Sequence, residues 1–464
     1  MVSKAIKFGP TESPAKFTDV EPVFLSDETI LERKAKVLEG MKNEGFDALV
    51  IYADKEHGGN FEYLTGFIPR FEEGLLILDA SGKSTAVLGN ENLKMARFSR
   101  IPVTLAHSPY FSLPNQPMDN EVPLENILSD AGLSTKSKVG LVGWKMFTPA
   151  KGDGEAYFDL PYFIVEAVKC ALKPDAALEN AAHLFIGGKS GARSICNANE
   201  IAHYEYGANL SSNCILDALN AVEVGVREVD LGACLSAEGQ YNTVVSIAAT
   251  GSRFDKANLY PTYKKVQQGD PLSLTTGFKG GLSSRTGFVI AKESELPVTQ
   301  KDWLERVAKP YFSAVVAWLE NIQTGMSGGA LYNLVEEVLP KERYGWHLNP
   351  GHLVSDEEWM SSPVYHDSVE VLKSGMIMQI DIIPSVPGYT GVSAEECVVL
   401  ANSTLQAEIR AAYPALWDRI DKRRHYLKAV IGIELSDEVL PLSNTVAYLR
   451  PFLLAKNHSL SVDK

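Results

Sequence analysis

Basic residues are in short supply in this chain: 44 Lys and Arg stand against 58 Asp and Glu, a net charge of −14. A polyanion binder gains affinity by releasing counterions at a basic surface, so neither a nucleic acid nor an anionic membrane is an expected partner. Cysteine is scarce as well. The five cysteines, Cys170, Cys196, Cys214, Cys234 and Cys397, are odd in number, widely spaced and free of C-x-x-C pairs. That pattern argues against a disulfide framework and a thiolate zinc site, and the cysteines read as reduced core thiols. No apolar run reaches the roughly 18 residues needed to span a bilayer, and the start, "MVSKAIKFGPTESPAKF", lacks the hydrophobic core of a signal peptide. A cytoplasmic protein is expected.

What the chain does have is apolar material: 464 residues at 45% hydrophobic content bury substantial cores and predict two or more domains. "SDETILERKAKVLEGMKNEG" places Ile30, Val37, Leu38 and Met41 at helical spacing and ends at Gly45. "FDALVIYAD" follows as a strand, and "GLLILDASGKSTAVL" as two strands about a Ser-Gly turn, which together predict an α/β domain over residues 1–165. The prolines clustered between 107 and 161 suggest surface loops decorating that domain. Over 166–464 the order is helices, strands, helices, strands. "ANEIAHYEYGANLSSNCILDALNAVEVG" predicts a long helix closed by Gly225, Gly-broken strands follow to residue 290, a helix pair comes next, and strands run to 400. This fits an α+β domain with repeated halves. The apolar tail "SDEVLPLSNTVAYLRPFLL" is expected to pack on the body or on a partner.

Five stretches in one order, "NEIAHYEYGANL", a Gly-Asp pair before a strand, "LNPGHLV", "SGMIMQIDIIP" and "GYTGVSAEECVVL", together with "NFEYLTGF" near the start, resemble the creatinase, prolidase and aminopeptidase P superfamily over residues 28–400. The resemblance implies an α/β N-terminal domain, an α+β pita-bread C-terminal domain with a curved, mainly antiparallel sheet, and a homodimer. Peptidases of that family hold two divalent metals through two aspartates, a histidine and two glutamates. Carried onto this sequence, the aspartate positions fall on Thr275 and near Leu282, with Ser283 and Ser284 beside it; the others fall on His352, Asp381 and Glu395, or alternatively Glu396. With two acids missing, a dinuclear centre is not expected, because hard cations follow carboxylate count; a single weakly held metal on His352, Asp381 and Glu395 stays open.

"GDPLSLTT" is closer to the metal-free creatinase branch, where a histidine before the Gly-Asp pair shuttles the proton and a glutamate precedes the Arg-Thr pair. Here those positions carry Leu259, beside Tyr260, and Ser284. The chain matches neither pattern in full. What remains as catalytic candidates is His352 with Asp381 and Glu395, an imidazole whose pKa and tautomer carboxylates can set. A hydrogen-bonded core histidine is the plain alternative. Substrate-binding candidates are Arg70, whose fork suits a carboxylate and which family members present across a dimer, and His347, His366 beside Asp367, Tyr260 and Arg285; Tyr263 is a weaker one.

The expected function is therefore a creatinase-like hydrolase of a C–N bond in a small carboxylate-bearing compound, with no cofactor required. An Xaa-Pro aminopeptidase or dipeptidase with an altered metal site, acting on a dipeptide-like substrate, is the alternative, and a non-catalytic binding homologue the third reading.

Overall fold

The computed structural model describes residues 4–119, 121–256 and 259–463. It divides into two compact units, Leu25–Ser194 and a discontinuous one made of residues 1–24 with Ile195–Lys464. The first strand, β1 (Ile6–Pro10), belongs to the discontinuous unit.

The Leu25–Ser194 unit is built on a six-stranded sheet of β2 (Ala48–Ala53), β3 (Gly74–Asp79), β4 (Ser84–Leu88), β5 (Thr104–His107), β6 (Lys138–Val142) and β7 (Ala177–Asn180), in the order β5-β4-β3-β2-β6-β7. Strands β2, β3 and β4 run antiparallel, whereas β5, β6 and β7 each pair in parallel. The "ALVIYA" run of β2 is buried along its whole length, as a central strand covered on both faces requires. The helix Asp27–Glu44 starts where the Ser26 hydroxyl accepts from Thr29 N and stops at Gly45, whose φ of 74° only glycine adopts freely.

The boundary expected near residue 165 is corrected to 194/195. Ile164, Val165 and Val168 of the Tyr162–Ala171 helix lie in one apolar cluster with Val50 of β2, Ile77 of β3 and Leu141 of β6, so this helix belongs to the first sheet's core. Residues 107–161 also hold more than loops: the helix Leu124–Asp130 sends Leu124, Ile127 and Leu128 into the same cluster.

The discontinuous unit carries two four-stranded antiparallel sheets. One is ordered β13-β10-β9-β8, from β8 (Ile247–Thr250), β9 (Pro271–Phe278), β10 (Gly281–Phe288) and β13 (Ser393–Glu395). The other is ordered β11-β12-β14-β15, from β11 (His352–Leu353), β12 (Ile377–Gln379), β14 (Cys397–Leu400) and β15 (Val439–Pro441). The long helix Ala198–Ala221 opens with a capping box between Asn197 and Glu200 and ends four residues before Gly225. It crosses the β9–β10 turn so closely that a Cβ on Gly207 would stand 1.9 Å from the Lys279 carbonyl, and Gly280 makes that turn at a φ of 99°. The helices Lys309–Asn321 and Gly328–Val338 form the second pair.

The tail packs on its own unit: β15 pairs with β14, and the last strand, β16 (His458–Val462), pairs antiparallel with β1. Among the described residues no helix is long and apolar enough to cross a membrane.

Candidate active site

Strand alternation decides which side chains of β9, β10 and β13 share a face. Thr275 stands opposite Ser284, Ser273 opposite Thr286, and across the next pair Ser284 opposite Glu395 and Thr286 opposite Ser393. The result is a buried hydroxyl ladder. Thr275 Oγ1 and Ser284 Oγ lie 2.9 Å apart, Ser284 Oγ and Ser393 Oγ 3.1 Å, Ser393 donates to Thr286 at 3.2 Å, and Thr286 donates to Ser273 at 3.0 Å. Thr275, one of the two positions where peptidases of the resembling family carry an acid, is thus a member of a neutral network. Leu282, the other, is a buried apolar side chain whose backbone carbonyl accepts from Gln379 Nε2 at 3.1 Å.

The charged part of the site lies on the neighbouring elements. His352 opens β11, is fully buried, and points Nδ1 at the Leu353 carbonyl, 3.1 Å away. A carbonyl can only accept, so the proton sits on Nδ1 in the neutral ring and Nε2 is the atom left to exchange one. Among the described residues Nε2 has no hydrogen-bond partner, although Glu358 Oε1 lies at 3.5 Å and Asp381 Oδ2 at 3.8 Å. The ring is stacked on Trp359, centroids 4.1 Å apart and planes inclined by 24°. Burial alone would lower the imidazolium pKa, but Glu358, then Asp381, reverse that and carry it above the ordinary value.

Asp381 is also buried, and its Oδ1 has no hydrogen-bond partner among the described residues. Desolvation, opposed by His352 and reinforced by Glu358, pushes its carboxyl up to about 6. Glu395 is half-buried and is raised well above the usual range, first by desolvation and then by Asp381 and Glu358. Tyr311, from the Lys309–Asn321 helix, closes this corner: its buried hydroxyl accepts from Ala394 N at 2.7 Å, and desolvation followed by Glu395 holds its pKa above the usual phenol value.

The two adjacent glutamates separate cleanly. Glu396 is fully buried and accepts from Arg285 Nη2 at 2.7 Å, from Ser283 Oγ at 2.9 Å and from Thr445 Oγ1. Glu395 has the Asp381 side. Arg285, expected as a substrate contact, has Nε on the Tyr448 carbonyl at 2.7 Å, Nη1 on the Ser284 carbonyl at 2.6 Å and Nη2 on Glu396. With all three guanidinium nitrogens engaged inside the core, its contacts are those of a structural tie.

The remaining candidates are not drawn to His352 by any contact among the described residues. Tyr260 and Tyr263 are exposed, and Tyr263 lies under the Arg227 guanidinium at 5.0 Å. His347 is exposed next to the buried Trp346. His366 is exposed, 2.9 Å from Asp367 and edge-on to Tyr332. Arg70 belongs to the Leu25–Ser194 unit, where it is exposed and stacked over Phe71 at 5.0 Å. Sequence reasoning missed Glu358, Trp359 and Tyr311. A signal for the first two was present: "SDEEWM" directly follows "GHLV", an acidic run ending in tryptophan within seven residues of the candidate histidine.

The profile of metallopeptidase family M24 matches residues 202–402. No curated protein is similar in sequence to the chain. Among solved structures, a recombinant prolidase from Thermococcus sibiricus superposes with a TM-score of 0.63 at 18% identity, covering 82% of this chain and 95% of that one. An Xaa-Pro dipeptidase from Bacillus anthracis gives 0.61 at 16% identity (81% and 96%), and an Asp271Ala aminopeptidase P from Escherichia coli 0.56 at 14% (81% and 93%). At such identities the likeness is one of fold.

Proposed function

From the premise that residues 202–402 belong to metallopeptidase family M24, in the pita-bread fold of the prolidases, Xaa-Pro dipeptidases and aminopeptidase P, we propose that this chain hydrolyses a C–N bond in a small carboxylate-bearing compound by acid/base chemistry of its own side chains. The observation that carries the reading is the buried, unpaired Nε2 of His352, facing Asp381 with its own unpaired Oδ1. Buried polar atoms left without partners are costly to a fold, and a functional site is where that cost is tolerated.

Divalent metals are the usual equipment of the family, and the residues here do not fit a two-metal centre. Leu282 supplies no donor atom, and Thr275 supplies an uncharged hydroxyl already bonded to Ser284. Nor, among the described residues, are three or more His, Cys, Asp or Glu side chains grouped to hold one ion. Four positive charges also demand more negative charge than Asp381 and Glu395 bring.

The chemistry follows from the positions of the protons. Asp381, ionised above about 6, takes a proton from water as the water oxygen bonds to the carbon. His352, as imidazolium held by Glu358, gives its Nε2 proton to the leaving nitrogen as the C–N bond breaks. The proton on Asp381 then returns across the 3.8 Å gap to Nε2, which resets the pair. Glu395 and Tyr311 border the reacting groups. In this reading a second copy of the chain presents Arg70 to the substrate carboxylate, a task its exposed fork suits.

The test is turnover of creatine and of glycyl-proline before and after exhaustive chelation, with metal analysis of the purified protein. Hydrolysis of one of them is expected to survive chelation and to fall about a thousandfold in His352→Gln. Two tightly bound divalent ions per chain would replace this reading with that of an altered Xaa-Pro peptidase, which the M24 match otherwise favours. Unchanged turnover in His352→Gln would remove the imidazole from the reaction.

A further inference from the structure

We propose that the short hairpin spanning Leu353 to Ser361 is the device that positions the acid/base imidazole, with Trp359 as its principal positioning residue. The inference rests on the functional reading above and adds residues that neither the candidate motifs nor the family match singles out.

An imidazole has two orientational freedoms to lose, the tilt of its plane and the direction of its edge. Trp359 removes the first: a stacked indole at 4.1 Å leaves the His352 ring little room to tilt. The Leu353 carbonyl removes the second by accepting from Nδ1 at 3.1 Å. That same carbonyl also accepts the Met360 N–H at 3.0 Å, and Leu353 N donates to the Ser361 carbonyl at 2.7 Å, which closes the hairpin. One oxygen therefore fixes the imidazole edge and holds the loop that carries Trp359. Glu358, the adjacent residue, is delivered by the same loop to within 3.5 Å of Nε2. Among the described residues no hydrogen bond reaches Nε2, so Nδ1 makes the one hydrogen bond that orients the ring there. The loop is itself tied down: Gly280 N donates to the Ser355 carbonyl at 2.7 Å, and Asp356 accepts from Tyr204 at 3.0 Å. The hairpin thus sets plane, edge and outward nitrogen together.

Two measurements test this on the full chain. In the first, the kinetics of Trp359→Leu and Trp359→Phe are compared with His352→Gln on whichever of creatine or glycyl-proline is hydrolysed. Trp359→Leu is expected to lose about a hundredfold in kcat with KM little changed, the size of effect a misplaced catalytic group produces, and Trp359→Phe to recover most of it. If His352→Gln abolishes turnover while Trp359→Leu leaves kcat intact, the positioning role falls and the functional reading stands; if His352→Gln is fully active, the functional reading falls.

The second measurement needs no substrate. In histidine labelled with 15N, at a pH where the rings are neutral, His352 is expected to show one tautomer, protonated on Nδ1, in the wild type and in Trp359→Phe. In Trp359→Leu the two tautomers are expected to mix. A single unchanged tautomer in Trp359→Leu overturns the proposal whatever the kinetics show.

Discussion

Two buried charge clusters in the discontinuous unit are handled in opposite ways. Around Glu205, every acid and amide is answered: its carboxylate accepts from Arg419 Nε at 2.9 Å, Arg419 Nη2 at 2.5 Å and Arg423 Nη2 at 2.6 Å. Arg423 Nε donates to Asn444 at 2.7 Å, and the Asn444 amide donates to Asn209 and Asn213. Around His352 two acids, Glu358 and Asp381, crowd one imidazole, and two of the polar atoms, His352 Nε2 and Asp381 Oδ1, have no hydrogen-bond partner among the described residues. A fully answered network locks helix Ala198–Ala221 to helix Pro414–Tyr426 and fixes one arrangement. A cluster left short keeps its protons mobile, at the expense of stability.

Breaking the first cluster should therefore cost the fold more than breaking the second. Arg423→Met, which leaves Glu205 and Asn444 short of a buried partner, is expected to lower unfolding free energy by about 4 kcal/mol in a urea titration, with kcat of the folded protein retained. A loss under about 1 kcal/mol would make the two clusters alike.

Asp381→Asn should do the reverse. The folded Asp381 carboxyl is raised from 3.8 to about 6, so between those values the folded state binds more protons than the unfolded one and stability falls as pH rises. The asparagine variant escapes that loss. It is expected to be more stable than wild type by about 2 kcal/mol at pH 8, to lose the advantage towards pH 4, and to have lost turnover. Equal stability of the two proteins at both pH values would mean that the cluster stores no such penalty. The smallest effect is expected in the neutral ladder: Ser393→Ala, which interrupts it between Ser284 and Thr286, should cost about 1 kcal/mol in the same titration.

How far the sequence discloses this molecule depends on the range of the interactions involved. Helices with local signals are legible: Ser26 and Gly45 bracket one, and the Asn197–Glu200 box opens another. The ordered motifs also bring His352, Asp381 and Glu395 to attention, and the structure brings His352 and Asp381 within 3.8 Å. The first domain's limit is not legible, because whether the Tyr162–Ala171 helix belongs to one core or the other is decided by packing on strands far away in the chain. The same holds for the hydroxyl ladder, whose five members come from three strands and meet only through register. Arg285 looks like a ligand contact in a linear reading since, apart from the adjacent Ser284 carbonyl, its acceptors, among them Glu396 and the Tyr448 and Thr445 carbonyls, lie more than a hundred residues downstream.

The Leu25–Ser194 unit leaves and re-enters the discontinuous one at nearly the same place. Asn199 Nδ2 reaches the Phe24 carbonyl at 3.1 Å, so the chain on either side of the inserted unit is already side by side. The β1–β16 pair, which joins residues 6–10 to 458–462, lies wholly within the discontinuous unit. The segment carrying His352 therefore sits in a body whose two chain ends are zipped to each other, so its closure does not depend on a strand from the other unit.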